Sequence, residues 1–184
     1  MVLRSVAVDN TPPMYFDLQP RLQGQTLSLR PMTAADLEPL WQVSSDPLVW
    51  EQHPEPARAT REGFEQFFSG GLASAGALVV VDNATGQIIG SSRYYDWDPQ
   101  RGEVAIGYTF LARGYWGGAA NREMKQLMLD HAFRRANTVW FHVAASNRRS
   151  RRAMEKIGAR LAHEEQRPLH GQMIDFVYYR IDKP

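Results

Sequence analysis

Two short stretches hold most of the groups that could do chemistry in this chain. The first is Arg113-Gly114-Tyr115-Trp116-Gly117-Gly118-Ala119-Ala120-Asn121-Arg122-Glu123. It joins a run of β-branched and aromatic residues to a segment of helical periodicity, so it marks a strand-to-helix junction. The first amides of a helix have no partner within it, and the helix dipole favours negative charge there. Small residues at Gly117, Gly118 and Ala119 let a diphosphate approach that backbone without help from a cationic side chain. A plain turn that uses glycine for tight geometry fits the same residues. Two phosphate-binding alternatives fail. A P-loop needs Lys-Ser/Thr after its last glycine, and Ala119-Ala120 follow Gly118. A dinucleotide fingerprint belongs to the first strand-helix unit of a parallel sheet, whereas this turn follows strands of antiparallel character.

The second stretch runs from Asn147 to Gly158. Asn147 suits a helix N-cap, Ser150, Ala153, Met154 and Ile157 share an inner face, and Gly158 ends the pattern. Arg148, Arg149, Arg151, Arg152 and Lys156 concentrate positive charge there, as a solvated face or an anion site. The chain as a whole balances 21 Lys and Arg against 20 Asp and Glu, which gives no reason to expect a nucleic-acid or membrane-surface partner. It has no cysteine, so disulfides, thiolate nucleophiles and Cys-ligated zinc are excluded. No secretory signal or membrane-spanning run is apparent, so a cytoplasmic protein is expected.

The elements that must position these groups follow from periodicity. Residues 1–22, with Pro12, Pro13 and Pro20, read as an N-terminal arm. Thr26–Leu29 alternate as a strand. Thr33 and Asp36 start a helix carrying Leu37, Leu40 and Trp41, and a second helix from Thr60 ends where Gly70, Gly71 and Gly76 break its pattern. Ala77–Val81 and Gln87–Tyr95 form a hairpin, and Glu103–Leu111 a third strand. Ala120, Met124, Leu127, Met128 and His131 lie on one face of a helix ending near Arg135. Thr138–Ala144 is a strand, and Leu161–Arg167 and Met173–Ile181 close the chain around His170-Gly171. The order β-α-α-β-β-β-α-β-α-β-β predicts one α/β domain over residues 23–184, a mixed, mostly antiparallel twisted sheet flanked by helices.

Tyr115-Trp116-Gly117-Gly118-Ala119-x-x-x-Glu123 resembles the acetyl-CoA pyrophosphate motif of the GNAT (GCN5-related N-acetyltransferase) superfamily. Asn147-x-x-Ser150-x-x-Ala153-Met154-Glu155-Lys156-x-Gly158 resembles the helix after that superfamily's fifth core strand. The likeness covers roughly residues 25–181, and Ile106-Gly107-Tyr108 and Ser150 point to the RimJ/RimL-like branch. It implies an acetyl-CoA-dependent N-acetyltransferase with direct transfer to a primary amine, either a peptide N-terminus or a small amine. Acetyl-CoA would be a cosubstrate and no metal is expected. A homodimer is compatible with this reading.

By the same resemblance, Phe110, Leu111 and Ala112 would pair their backbone with the pantetheine arm. Trp116, Gly117, Gly118, Ala119 and Asn121 would hold the diphosphate, with Asn147 and Ser150 also at the cofactor. The oxyanion donor is expected near Leu111 or Ala112. The amine must lose its proton before it attacks, and Glu103, at the start of the strand beside the cofactor, is the expected base. His142 suits a structural role better. Trp50, Gln52, His53, Tyr94, Tyr95, Asp96 and Trp97 would wall the acceptor pocket. Two departures stand out. Gly114 replaces the motif's leading Gln or Arg, and Met154 stands where many members have a tyrosine that protonates the leaving thiolate. Methionine has no proton to give, which keeps open a non-catalytic acyl-CoA-binding or regulatory module.

Overall fold

The computed structural model describes residues 15–184. Its strands are β1 (Leu22–Gln23), β2 (Leu27–Pro31), β3 (Ala77–Asp82), β4 (Ile88–Asp98), β5 (Glu103–Leu111), β6 (Thr138–Ala144), β7 (Arg160–Leu169) and β8 (Gln172–Asp182). Its helices are α1 (Leu37–Ser44), α2 (Arg61–Ala73), α3 (Ala120–Ala132) and α4 (Arg148–Lys156), with short 3-10 turns at Ala34–Asp36, Pro47–Val49, Pro56–Ala59 and Arg113–Tyr115. The strands form one sheet in the order β1-β2-β3-β4-β5-β6-β8-β7. Every neighbouring pair is antiparallel except β5 and β6. This is the mixed, mostly antiparallel sheet that the pattern predicts.

Strand alternation sorts apolar side chains to two faces. Along β3, Leu78 and Val80 point into one core with Leu27, Leu29, Ile106, Met124, Met128 and Phe141. Ala77 and Val79 point the other way, to Leu40, Trp50, Phe64, Phe68 and Phe110. Helices α3 and α4 cover the first face, and α1 and α2 the second. Full burial of each large aliphatic or aromatic side chain is worth about 1.5–3 kcal/mol, so both faces contribute to the fold.

Local signals place the helix starts. The Asp36 carboxylate accepts from the Thr33 N–H at 2.7 Å and pairs with Arg30 at 2.6 Å, while Thr60 caps α2 through the Gly63 N–H. The structure differs from expectation at the end of α2, which continues through Gly70 and Gly71 to Ala73. Gly71 is buried against Met32 and Arg93, where a small residue permits close packing. The expected arm, residues 1–22, lies outside the described residues as far as residue 14. From there it is packed: Phe16 is buried against Tyr94, Trp97 and His131. Among the described residues no helix is long and apolar enough to cross a membrane.

The sheet opens at one place. Strands β5 and β6 pair only through Glu103↔Thr138, Val104↔Val139 and Ala105↔Trp140. Beyond Ala105, β5 stays with β4 and β6 stays with β8. In β5 the register against β4 slips between Gly107 and Phe110, and Tyr108 takes a left-handed φ of 52°. An extra residue of this kind bends a strand and raises its twist, which turns β5 away from β6. A gap is left between two strands of one sheet.

Candidate active site

The gap leads to the N-terminus of α3. This 13-residue helix has no side-chain hydrogen bond at its N-cap, Ala119. Its first amides therefore keep their donors for a ligand. Gly117 has φ +71°, and a Cβ on Gly117 or Gly118 would meet nothing within 4 Å. The corner is open, as a diphosphate on the backbone requires. Glu123, the acid in the first turn, is directed elsewhere. Its carboxylate accepts from the Thr26 N–H at 2.8 Å and from the Thr26 hydroxyl. That bond ties α3 to β2 and holds a negative charge away from the corner.

Trp116 braces the loop. Its Nε1 donates to the Leu111 carbonyl at 2.8 Å, and the Arg149 guanidinium stacks on its ring at 4.1 Å. Arg149 in turn donates to the carbonyls of Leu48 and Val49, while its amide donates to the Gln52 side chain at 2.9 Å. Arg113 pairs with Asp46. Loop, α4 and the Pro47–Val49 turn are thereby held together. On the edge away from the gap, the Ala112 N–H donates to the Ile89 carbonyl of β4 at 2.8 Å. Ladder alternation then turns the Leu111 N–H to the opposite edge, the one facing the gap. Ala112 is thus already committed to β4, and the expected oxyanion donor narrows to Leu111. A Cβ at Gly90 would lie 2.1 Å from the Phe110 carbonyl, so glycine permits the close approach of β4 here.

A cleft of about 1000 Å³ follows the gap. It collects Phe110, Leu111, Trp116, Gly117, Gly118, Asn121, Asn147 and Ser150, the residues assigned to the cofactor from sequence. Ala119 is set back as the helix N-cap and is not part of the wall. Asn147 also caps α4, accepting from the Ser150 N–H at 3.0 Å. Arg148, Arg149, Arg152 and Lys156 line the cleft, whereas Arg151 turns away to the Tyr179 hydroxyl and the Ala145 carbonyl.

Glu103 is not in the cleft. It stands in the paired stretch of β5 and β6, at the closed end of the gap, opposite Thr138. The assignment of Glu103 as base is therefore not supported by its position. Of the expected acceptor wall, Trp50, Gln52, His53 and Tyr95 line the cleft and Tyr94, Asp96 and Trp97 do not. Tyr94 is buried, its hydroxyl donating to the Met128 carbonyl at 2.7 Å.

Arg58, Lys125 and Arg167 line the cleft without having been singled out from sequence. Arg58, buried, pairs with Glu55 and stacks 4.4 Å from Phe67. The His170 ring at the β7–β8 turn comes within 3.2 Å of the same carboxylate. Burial pushes the His53 ring down to about 3, with Arg58 adding to the shift. His142 lies 3.1 Å from the Tyr95 hydroxyl, and burial lowers it to about 4. Lys125 on α3 is 2% exposed, hydrogen-bonded to Thr109, and pushed down to about 7 by burial alone. The cleft wall carries Arg58, Arg122, Lys125, Arg148, Arg149, Arg152, Lys156 and Arg167, with Glu55 alone among carboxylates of the described residues. Among the described residues no group of three or more His, Cys, Asp or Glu could hold a metal ion.

A sheet opened between two parallel neighbours, with an uncapped helix N-terminus at the mouth, suits an extended ligand that carries an anion at one end. The family model described as an acetyltransferase (GNAT) domain matches residues 26–160, and the chain belongs to that family. It is an N-acetyltransferase, and acetyl-CoA is the family's acetyl donor. Its fold is similar to that of a GCN5-related N-acetyltransferase from Brucella melitensis (TM-score 0.83, 21% identity, 96% of this chain and 84% of that one). A candidate acetyltransferase from T. thermophilus is 30% identical over 89% of each chain, with TM-score 0.72. RimJ of Mycobacterium smegmatis, in complex with CoA-disulfide, has TM-score 0.67 at 20% identity, over 85% of this chain and 81% of that one. No curated protein matches the chain.

Proposed function

We propose that the protein transfers an acetyl group from acetyl-CoA directly to a primary amine, with both substrates in the cleft at once. The observation that carries this reading is the open, uncapped corner at Gly117–Gly118 leading onto the free edge of β5. The diphosphate sits on the α3 amides, with Asn121 beside them and Arg148, Arg149 and Arg152 at the adenosine phosphates. The pantetheine arm adds to the Leu111 edge of β5, and the Leu111 N–H serves the oxyanion. A chain without cysteine has no thiol to carry the acetyl group, which supports direct transfer.

The acceptor enters from the opposite end, among Trp50, His53, Arg58, Tyr108 and Arg167. The one carboxylate there among the described residues, Glu55, is already engaged by Arg58 and His170. Such a pocket disfavours a polyamine and favours an amine with a nearby carboxylate, such as an amino acid or an acidic peptide N-terminus. RimJ-like fold similarity is compatible with the peptide, and the charge of the wall is the stronger support. His142, which lines the cleft 3.1 Å from the Tyr95 hydroxyl, replaces Glu103 as proton acceptor, directly or through water. Ser150, one helical turn before Met154, offers a hydroxyl on the side of α4 where the tyrosine would stand.

Thiol release measured against amino acids, peptides of acidic and basic N-terminus, and polyamines tests the reading. Turnover is expected on the carboxylate-bearing amines, with Glu103→Gln within about threefold of the parent and His142→Gln reduced roughly 10–100-fold. Preference for polyamines, or loss of activity in Glu103→Gln, sinks the acceptor and base assignments respectively. Failure to bind acetyl-CoA in calorimetry sinks the whole proposal.

A further inference from the structure

Lys125 is the buried group in the cleft that the roles above leave without work. Its ammonium has three N–H donors. One goes to the Thr109 hydroxyl at 2.7 Å and another to the Ser92 hydroxyl at 3.4 Å. The Phe141 ring lies 5.7 Å from Nζ. Among the described residues no carboxylate makes an ion pair with it. Buried charges are ordinarily paired, because an isolated one is costly to desolvate. A cation held on two neutral hydroxyls, in the wall of a substrate cleft, keeps its remaining donor for what fills that cleft.

The hydroxyls also fix where that donor lies. Ser92 Oγ and Thr109 Oγ1 are 2.8 Å apart, and the Thr109 hydroxyl reaches the Gly107 carbonyl at 3.4 Å. Lys125 is thereby tied to the bulge at Tyr108, three residues back along β5 from Leu111. An arm anchored at Gly117–Gly118 and laid along the Leu111 edge carries its thiol end toward this bulge. We infer that Lys125 donates a hydrogen bond to the thioester carbonyl of the acetyl donor and to the oxyanion formed from it. In the step itself, the amine lone pair forms the C–N bond and the carbonyl π electrons move to oxygen. The intermediate collapses with loss of the C–S bond, the amine proton passes to the base, and the thiolate leaves. Lys125 acts in its protonated form, the majority form below about pH 7, and keeps that proton through the step. The charge is buried, so no solvent screens it at the moment the oxyanion appears.

This inference rests on the acetyl-CoA reading, and the experiment separates the two. Binding of acetyl-CoA and steady-state kinetics are compared for the parent, Lys125→Met and Lys125→Arg. For Lys125→Met, kcat is expected to fall on the order of 100-fold while the Kd for CoA and the acceptor KM stay within about threefold. Lys125→Arg, which keeps a donor, is expected to recover part of that loss. A kcat within threefold of the parent in Lys125→Met overturns the role. So does a fall in CoA affinity that matches the fall in kcat, the result of a purely structural lysine. Isotope-edited infrared spectra of acetyl-CoA labelled at the carbonyl carbon give a readout on the parent protein. The stretch is expected to shift to lower frequency on binding and to lose most of that shift in Lys125→Met. An unshifted stretch in the parent, or a 42-Da gain on the Lys125 peptide after incubation with acetyl-CoA, also overturns it, since an acetylated lysine carries no charge. No binding by the parent at all counts against the acetyl-CoA reading instead.

Discussion

Position 125 lies on the buried side of α3 with Met124, Met128, Leu129 and Ala132, yet it carries a lysine. Lys125 is fully buried and is held near pH 7 only because burial penalises its charge. The unfolded chain titrates it near 10.5, so between about pH 7 and 10.5 the unfolded state binds more protons and stability rises with pH. Below pH 7 both states are charged and the folded one carries the full desolvation cost. Lys125→Met is therefore expected to stabilise the fold at pH 7 by on the order of 1–3 kcal/mol, with the gain vanishing above pH 10.5. Denaturant melts of both proteins across this range check it. A destabilised variant at pH 7 would show that the cation holds the fold together rather than weakening it. Such a residue is hard to read from sequence, since one lysine beside Met124 looks like the edge of a solvated face. Glu103 shows the converse difficulty. Its place at the start of a strand was legible, but which end of that strand opens depends on the pairing with β6, a contact between distant parts of the chain.

The elements were far more legible than the side chains, because periodicity and caps are local. Strands β5 and β6 and the turn at His170-Gly171 fall where alternation puts them. The misplaced end of α2 has a tertiary cause: Gly70 and Gly71 do weaken a helix, and packing against Met32 and Arg93 overrides that weakness. The same locality made the corner before α3 readable. Its openness gives a clean test, because a Cβ added at Gly118 meets nothing within 4 Å beyond its chain neighbours. Gly118→Val is expected to leave the melting temperature within about 2 °C and weaken CoA binding roughly 30-fold or more, by filling the space the diphosphate needs. Differential scanning fluorimetry with calorimetry separates the two effects. Unchanged affinity would place the diphosphate elsewhere.

For the molecule as a whole, the near-neutral net charge conceals a division of labour: cations line the cleft, and imidazoles buried beside them are kept neutral. The two rings with the lowest proton affinity, His53 and His142, both line the cleft. His53 faces donors on both nitrogens, the Glu55 N–H at 3.0 Å and the Arg58 guanidinium at 3.2 Å. A proton added there meets a positive neighbour and no acceptor. Both rings titrate near 6.5 when unfolded, so as pH falls below 6.5 the unfolded state takes up protons that the folded state refuses. Stability is then lost down to about pH 4 for His142 and about pH 3 for His53. Each ring contributes at most about 1.4 kcal/mol per pH unit within its window. The Arg30–Asp36 pair, with the Asp36 carboxyl held below its usual range, adds its own loss only at lower pH. The Lys125 window lies above pH 7, so it does not overlap this one. Urea melts at pH 6.5, 5.5, 4.5 and 4 should therefore show a continuous decline. Replacing both histidines with glutamine should remove most of the slope between 6.5 and 4. A double variant whose stability falls in parallel with the parent over that interval would mean that the rings accept protons in the folded state. The cleft would then grow more positive on acidification without losing its shape.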